Sequence, residues 1–564
     1  MAGGAKRWRL PPLVEDRGLP RDLPPAMAKV LLARDIDSAD KLRLFLEPPQ
    51  RMPYDPLRLA GMDQAVQRLY RAINRQERVG VFGDFDVDGV TGAAIVAEGL
   101  EPLGVPVVPY LPHRTKEGHG LSVAAVDHLV DRGAGLIITV DCGVTACDEV
   151  AHANRRGIDV IITDHHLPQS DLPDAAAIID PMLPDGSYPF FDLCGAGLAF
   201  KLVQGIYEFH GQPWANQLLE LAALGTIADQ VTMMDENRYL VQQGLASLAQ
   251  TRRPGLLALY RLAGVDTTWL DAETLAFQVI PRLNSAGRMG HALDSYRLLT
   301  TTSSEEAGAL AQRLEGLNQD RRELTELAIA LAHDEVRSQS ASGALPAILL
   351  VANRGITSGV AGLVAGRLAD MYHRPAVAMA VEDSYLVGSG RSIPEFDLFQ
   401  ALSGCQDLFV RFGGHSQAAG FTLATEKLPQ LRERLTAAAD SALDSRELSP
   451  ALDIDAEVGL ADLTVDLVRW LSILQPFGPS NRQPMFLTRR AHVLEARSMG
   501  KEGQHLRFTL REGNDEWPAV AFNQADRWVP GSPYVDLVHS VTIDRWRGME
   551  RLTLRVRDFR PVAG

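Results

Sequence analysis

The chain has 564 residues, 46% hydrophobic and 23% charged, with 48 glycines and 33 prolines. That length asks for three or four domains of ordinary size, and the composition excludes collagen-like, disulfide-scaffold and wholly disordered classes. Its 56 basic and 71 acidic residues leave a formal charge of −15, which disfavours a general nucleic-acid coat but is compatible with a local basic groove. The four cysteines, Cys142, Cys147, Cys194 and Cys405, contain no C-x-x-C pair and are expected to be reduced thiols. The first residues carry prolines where a signal peptide needs an apolar run, and no stretch approaches the ~18 apolar residues of a membrane span. A cytoplasmic protein is expected.

Residues 1–50 are polar and Pro-rich, with a short helical pattern near Met27–Phe45. From Met62 a helical pattern runs into a predicted strand, Val79–Phe82, then the polar loop GDFDVDGVTG and an apolar helix over Ala93–Leu100. Further strands are predicted at Val105–Leu111, Gly135–Val140, Asp159–Thr163 and Ile178–Ile179, with helices at Val123–Arg132 and 146–156 between them. Alternating strands and helices predict βαβ units around a mainly parallel sheet, whose ligands lie beyond the carboxyl ends of the strands. Leu193 to about Leu299 reads as helical, and Ser303 with Glu306 forms a capping-box signature for a long amphipathic connector helix. A second α/β block is predicted from Ala347 to about Ser441, then a linker over Ala439–Pro450. Alternation in His505–Arg511 and Arg551–Arg557 predicts a small β-barrel at the end of the chain. Residues 451–564 hold 15 basic and 15 acidic residues, so the whole negative excess lies before them.

Three predicted strand ends carry acids or histidines: Asp84, Asp86 and Asp88; Asp141; and Asp164, His165 and His166. In a parallel sheet these clusters gather on one rim, with Asp229 a further candidate at the end of an apolar helix. Carboxylates so gathered repel one another unless cations neutralise them, and mixed carboxylate and imidazole donors suit Mn²⁺, or Mg²⁺ for the oxygen ligands. Two such ions lower the pKa of a bridging water and clamp a phosphoryl group for in-line attack. An EF-hand reading of D-x-D-x-D-G fails because its twelfth position, residue 95, is Ile. Asp88 or Asp141 alone could equally be a helix N-cap; the convergence of three loops favours a metal site.

These motifs, GDFDVDG, VDCGVT, TDHH and the later Asp229, resemble the ordered motifs of the DHH phosphoesterase superfamily. PRLNSAGRMG (281–290), GSGRSI (388–393) and GGHSQAAG (413–420) narrow the resemblance to the RecJ family of single-stranded-DNA-specific 5′→3′ exonucleases, and SMGKEGQHLRFTL resembles its oligonucleotide-binding fold. The resemblance implies five segments: an N-terminal extension (1–60), a DHH catalytic domain (61–300), a connector helix (301–340), a DHH-associated domain (341–445) and an OB-like barrel (451–564). It implies two divalent ions, Mn²⁺ or Mg²⁺, on Asp84, Asp86, Asp88, Asp141, His165 and Asp229, with Asp141 bridging, although spacing alone leaves the bridging acid open. Catalytic roles fall to His166, Asp141 and His415. Arg114, Ser389 and Arg391 would hold the 5′-terminal phosphate; Arg282, Asn284 and Arg288 would hold backbone phosphates; Gly413, Gly414 and His415 would approach a phosphate near the metals. Arg391 could instead make a structural ion pair, and GGH a helix-initiating turn. In the barrel, Phe508, Phe522, Trp528 and Arg507 are open candidates for stacking and phosphate contacts, although aromatics in small barrels are as often core. The substrate implied is single-stranded DNA, in a channel too narrow for a duplex, in DNA repair and recombination. Single-strand-binding protein and repair helicases are the implied partners. The alternative is a DHH phosphodiesterase for short oligonucleotides or cyclic dinucleotides, whose relatives lack a barrel.

Overall fold

The structure, a computed structural model, describes all residues except 1–5, 13, 48–53, 115, 169–170, 184–185, 214–216, 340–344, 444–447, 545–550 and 564. Part of the expected linker, 444–447, therefore lies outside the described residues. The first α/β unit is a five-stranded, wholly parallel sheet in the spatial order Val107–Tyr110, Arg78–Gly83, Ala134–Val140, Asp159–Thr163 and Ala177–Ile179. Its central strands are apolar almost throughout because both faces are covered. Val79, Val81, Ile138 and Ile161 pack into a large core with the helices Met62–Arg75, Val87–Leu100 and Gly195–His210. Phe82, Ile137, Val160 and Ile162 face the opposite way, toward Val123–Asp131 and Cys147–Arg155. The parallel arrangement places every loop that follows a strand on the same edge.

The helix after the strand Arg78–Gly83 begins at Val87, six residues before its expected start, because Asp86 caps it by accepting hydrogen bonds from the backbone N–H groups of Asp88 and Gly89. Asp88 thus stands in a helical turn, not on an irregular loop. The turn folds back tightly: a methyl group on Gly89 would lie 2.4 Å from the Asp84 nitrogen, so only glycine allows this close approach.

The connector is one helix, Ser304–Gln339, of 36 residues and so about 54 Å long. Ser303 Oγ accepts from the Glu306 N–H at 3.2 Å, whereas the Glu306 carboxylate takes the Thr301 hydroxyl at 2.5 Å. Only half of a capping box forms. Ala307, Leu310, Ala311 and Leu314 belong to the core of the first unit, and Ala328, Ala332 and Val336 to that of the second. The stretch between them bridges the two units.

The second unit is a mixed sheet, ordered Phe409–His415, Ala418–Ala424, Tyr385–Arg391, Ala376–Val381 and Leu349–Asn353, parallel only between the last two. GGHSQAAG forms the tip of the hairpin joining Phe409–His415 to Ala418–Ala424, so a helix-initiating turn is not what it makes. At the C-terminal end, Phe486–Met499, His505–Glu512, Asp515–Ala521, Arg551–Val562 and Tyr534–Asp544 pair in that order, and the last pairs back with the first to close a barrel. Phe508 is buried and Trp528 half-buried in its core, against Phe559; both are structural aromatics. Leu19, Met27, Val30 and Leu31 share that core, and Arg7–Arg9 pairs with Ala451–Asp453. The N-terminal stretch is thus folded onto the barrel. Among the described residues no helix is long and apolar enough to cross a membrane.

Candidate metal centre and anion pocket

The sheet edge brings Asp84, Asp88, Asp141 and Asp164, all nearly fully buried, together with His165 and His166. Asp141 follows the strand Ala134–Val140 in a left-handed conformation (φ +63°). Its Oδ1 lies 3.0 Å from His165 Nε2, which is also 4.0 Å from Asp88 Oδ2 and 3.8 Å from Asp229 Oδ2. Asp229 reaches this point as the last residue of the helix Leu218–Asp229. Asp88 accepts hydrogen bonds from the backbone N–H groups of Gly195 and Ala196, at 2.6 and 2.9 Å, where the helix Gly195–His210 begins. A carboxylate at a helix N-terminus is favourably placed. Gly195 is required there: a methyl on it would meet Asp141 Cβ at 2.5 Å and Asp88 Oδ2 at 2.9 Å.

Among the described residues, two groups of side-chain atoms are close enough to share an ion: Asp141, His165 and His166; and Asp88, His165 and Asp229. Asp84 and Asp86 border these groups without completing a triple. Asp84 Oδ2 lies 3.1 Å from His119 Nδ1, while its buried Oδ1 has no partner. Burial pushes Asp141 well above the usual carboxylate range, reinforced by Asp88, Asp86, Asp229 and Asp84. Asp86 and Asp88 are raised for the same reasons, burial first, and burial with Asp88 and Asp86 takes Asp229 up to about 8. Burial and the neighbouring His166 hold His165 low, so it is a neutral donor. Crowded buried carboxylates, an orphaned oxygen and a neutral imidazole fit a hard divalent cation such as Mn²⁺ or Mg²⁺.

Asp164 is the residue whose role the sequence left unread. It lies between the strand Asp159–Thr163 and the two histidines, and it accepts from the N–H groups of Val144, His165 and His166. Its Oδ1 also lies 2.7 Å from His166 Nδ1. Burial alone would lower the His166 pKa, but the hydrogen bond and charge of Asp164 outweigh it and bring the imidazole up to about 9. The His166 ring stacks on that of His415 with centroids 5.7 Å apart, so the hairpin of the second unit closes over the sheet edge of the first.

Beyond the carboxylates lies a group of guanidinium ions. Arg288 is pulled down to about 9, by burial first and then by Arg114, Arg321 and Arg391 around it, against the opposing charge of Asp86. Arg114 lies over the Phe85 ring at 4.8 Å, and Arg391 lies 3.4 Å from Ser389 Oγ. Among the described residues none of the four makes an ion pair with a carboxylate within 4.0 Å. Arg321 Nε and Asn318 Nδ2 are buried without a partner, although Arg321 Nη2 donates to Asn318 Oδ1. Both stand where the connector helix crosses the cleft, and reading that helix only as a spacer concealed them. Desolvated cations without a carboxylate bonded to them offer a place for an anion.

Arg282 is not in this group: it pairs with Glu315 and donates to the Gln278 carbonyl, 7% exposed. Its neighbours in the motif divide differently. Asn284 Oδ1 accepts from the Val87 N–H at 3.1 Å and anchors the metal loop, while Arg288 reaches the pocket. Gly413 and Gly414 lie beside His415 at the hairpin tip.

Residues 78–226 match the DHH family, N-terminal domain; 345–441 the DHHA1 domain; and 454–558 the RecJ OB domain. The chain is 38% identical to the single-stranded-DNA-specific exonuclease RecJ of Bacillus subtilis, over 95% of its length and 68% of that protein. It is 35% identical to the Salmonella typhimurium protein of the same name, over 97% and 98% of the two lengths. The chain belongs to the RecJ family. Its fold superposes on RecJ from Thermus thermophilus in complex with Mn²⁺ with a TM-score of 0.84, at 30% identity, covering 99% of this chain and 80% of that one. The Mg²⁺ complex of the same RecJ superposes with a TM-score of 0.78, at 29% identity and with coverage of 99% and 79%.

Proposed function

We infer that this RecJ-family chain is a single-stranded-DNA-specific exonuclease that hydrolyses phosphodiester bonds from the 5′ end with two divalent ions, Mn²⁺ or Mg²⁺. One observation carries the reading: a buried carboxylate–imidazole centre opens onto a group of unpaired guanidinium ions in the same cleft. Asp84, Asp86, Asp88, Asp141, His165 and Asp229 would hold the ions, which when bound supply an activated water and neutralise charge on the phosphoryl group. His166, a cation held by Asp164, faces the scissile phosphate, and His415 flanks it from the hairpin. Arg114, Arg288, Ser389 and Arg391, with Arg321 behind them, receive the 5′-terminal phosphate. A terminal phosphate received beside the cutting site would make the enzyme an exonuclease, and the His166–His415 contact that joins the two units over the site favours a single strand over a duplex.

The barrel at 454–558 favours a long strand over dinucleotides, because it offers a second grip on a polymer. Its core includes Met27, Val30 and Leu31, so it cannot be removed without exposing the N-terminal helix. The decisive test therefore uses the whole chain, with end-labelled single- and double-stranded DNA, with and without Mn²⁺. Mononucleotides released from the 5′ end of single strands only are expected. Cleavage of dinucleotides alone would establish the small-substrate reading. By family resemblance the enzyme works in the cytoplasm, in DNA repair and recombination, alongside single-strand-binding protein and repair helicases.

A further inference from the structure

Of the carboxylates proposed as ligands, Asp229 is held least directly. Asp84, Asp86, Asp88 and Asp141 each take part in a hydrogen bond. Asp229 accepts none among the described residues and approaches His165 only at 3.8 Å. It is the last residue of the helix Leu218–Asp229, and Gln230 after it is left-handed (φ +58°). Its place is therefore set by backbone: by the helix before it, and by the turn 230–234 that leads into the helix Asp235–Leu248. A contact that fixes this turn does for Asp229 what a hydrogen-bonded partner does for other ligands.

The turn is gripped from two sides. Within the catalytic unit, the buried Asn237 donates through Nδ2 to the Thr232 carbonyl at 3.0 Å and to the Asp192 carbonyl at 2.6 Å. From outside, the Met233 N–H donates to the carbonyl of Pro479 at 2.8 Å. Pro479 belongs to the loop 473–481, which follows the helix Val465–Ser472 and leads to the barrel strand Phe486–Met499. That loop is closed on itself. The buried Asn481 side chain donates to the Leu474 and Pro476 carbonyls, both at 2.8 Å, and Asn481 exchanges backbone hydrogen bonds with Gly478. Gly478 lies against the buried Met233 side chain, so a methyl group on it would come within 3.1 Å of Met233 Cβ.

One cation clamps the loop to the catalytic unit. Arg238 stands buried in the first turn of the helix Asp235–Leu248, the end at which a cation is disfavoured. It makes no ion pair with a carboxylate among the described residues. Its guanidinium donates instead to the carbonyls of Leu474 at 2.8 Å and Ile473 at 3.3 Å, where Val465–Ser472 ends. It donates also to the Phe45 carbonyl at 3.2 Å, in the last turn of the helix Ala39–Leu46, and lies 4.2 Å from the Phe45 ring centre. Two helix C-termini, each with its partial negative charge, thus share one buried cation. Beside it, Gln242 Nε2 donates to the Gln475 carbonyl at 3.2 Å. A guanidinium buried without these carbonyls would be costly, so loop and helix stay together.

We propose that docking of the loop 473–481 on the turn 230–234 holds Asp229 in its ligating position, so that the barrel completes the metal centre from outside. Arg238 and Met233 are then positioning residues, acting on the ion through Asp229. The inference rests on the reading of Asp229 as a metal ligand, and it is independent of any contact between the barrel and a nucleic acid.

The test is Mn²⁺ titration of the full chain without nucleic acid, with the free ion counted by electron paramagnetic resonance. Asp229→Ala marks the binding step to which that carboxylate contributes. Arg238→Met removes the donors and keeps an apolar stem, while Gly478→Val pushes on Met233 from the loop. Each should weaken the same step by about tenfold, the lower end for groups one step behind a ligand. Arg238→Lys, which can still donate to a carbonyl, should recover most of the loss. Val126→Ala, in the core on the far face of the parallel sheet, is the control: it lowers stability and should leave Mn²⁺ affinity unchanged. Parent-like affinity in either Arg238→Met or Gly478→Val would overturn the inference. An equal loss in Val126→Ala would overturn it too, by showing that affinity merely follows stability. If Asp229→Ala itself bound Mn²⁺ as the parent does, the ligand reading would fail and this inference with it.

Discussion

Asp164 Oδ1 lies 2.7 Å from Nδ1 of His166 and holds that imidazole protonated, facing the ring of His415 across the cleft. A buried carboxylate that also takes three backbone N–H groups cannot turn to an ion without unmaking its own loop. Asp164 thus acts as a positioning residue, one step behind the proposed ligands. Asp164→Asn keeps the shape but removes the charge that sustains the His166 cation. Turnover on single-stranded DNA is expected to fall by about 10- to 100-fold, and the alkaline limb of the pH–rate profile to move to lower pH. A profile unchanged in position would show that His166 does not depend on Asp164.

Without a cation, the carboxylate cluster makes the fold sensitive to alkali. Asp229 is raised to about 8, with Asp141, Asp86 and Asp88 also raised. A carboxyl raised in the folded state keeps its proton where the unfolded chain has already lost it, so stability falls as pH rises from the unfolded value toward the folded one. Chelator-treated protein should therefore melt progressively lower between about pH 4 and pH 8 on this account. Mn²⁺ should raise the melting temperature more at pH 8 than at pH 5.5 and release protons at pH 7. Calorimetry in buffers of different ionisation enthalpy counts those protons; a count of zero would refute the ligand assignment.

Arg391, desolvated and next to Arg114, has no carboxylate partner among the described residues. Arg391→Ala should therefore cost substrate binding and not stability. The loss expected for one charge-assisted hydrogen-bonding group is about 1.5–3 kcal/mol, or roughly 10- to 100-fold in KM for 5′-phosphorylated strands. Strands with a 5′-hydroxyl should be affected far less. Equal losses on both ends would place the terminal phosphate elsewhere.

Lys201 Nζ lies 3.1 Å from Glu236 Oε1 with both side chains wholly buried, and it also donates to the Tyr54 carbonyl at 2.6 Å. The other Glu236 oxygen takes the Tyr188 hydroxyl. Lys201→Met strands Glu236 without its cation, and the expected loss is about 3–5 kcal/mol in urea unfolding. The metal centre is untouched, so protein that remains folded should keep its turnover number. A neutral result would mean that Glu236 is comfortably protonated, as burial already inclines it to be.

Much of this protein could be read before folding. Strand–helix alternation, with acids and histidines after three of the strands, is a local pattern, and a parallel sheet brings those ends to one edge whatever the details. The connector was equally legible, because apolar residues at threes and fours can only line one helix face. The fate of individual polar side chains depended on the tertiary structure, because a charge's role depends on what the rest of the chain puts beside it. Arg282 and Arg288 stand in one motif, yet Glu315 pairs with the first, while three other guanidinium groups and the more distant charge of Asp86 surround the second. Asp88 looked like a loop acid until Gly195 and Ala196, more than a hundred residues away, supplied its hydrogen bonds. Arg321 carries no local signal, since its meaning lies wholly in the cations it faces.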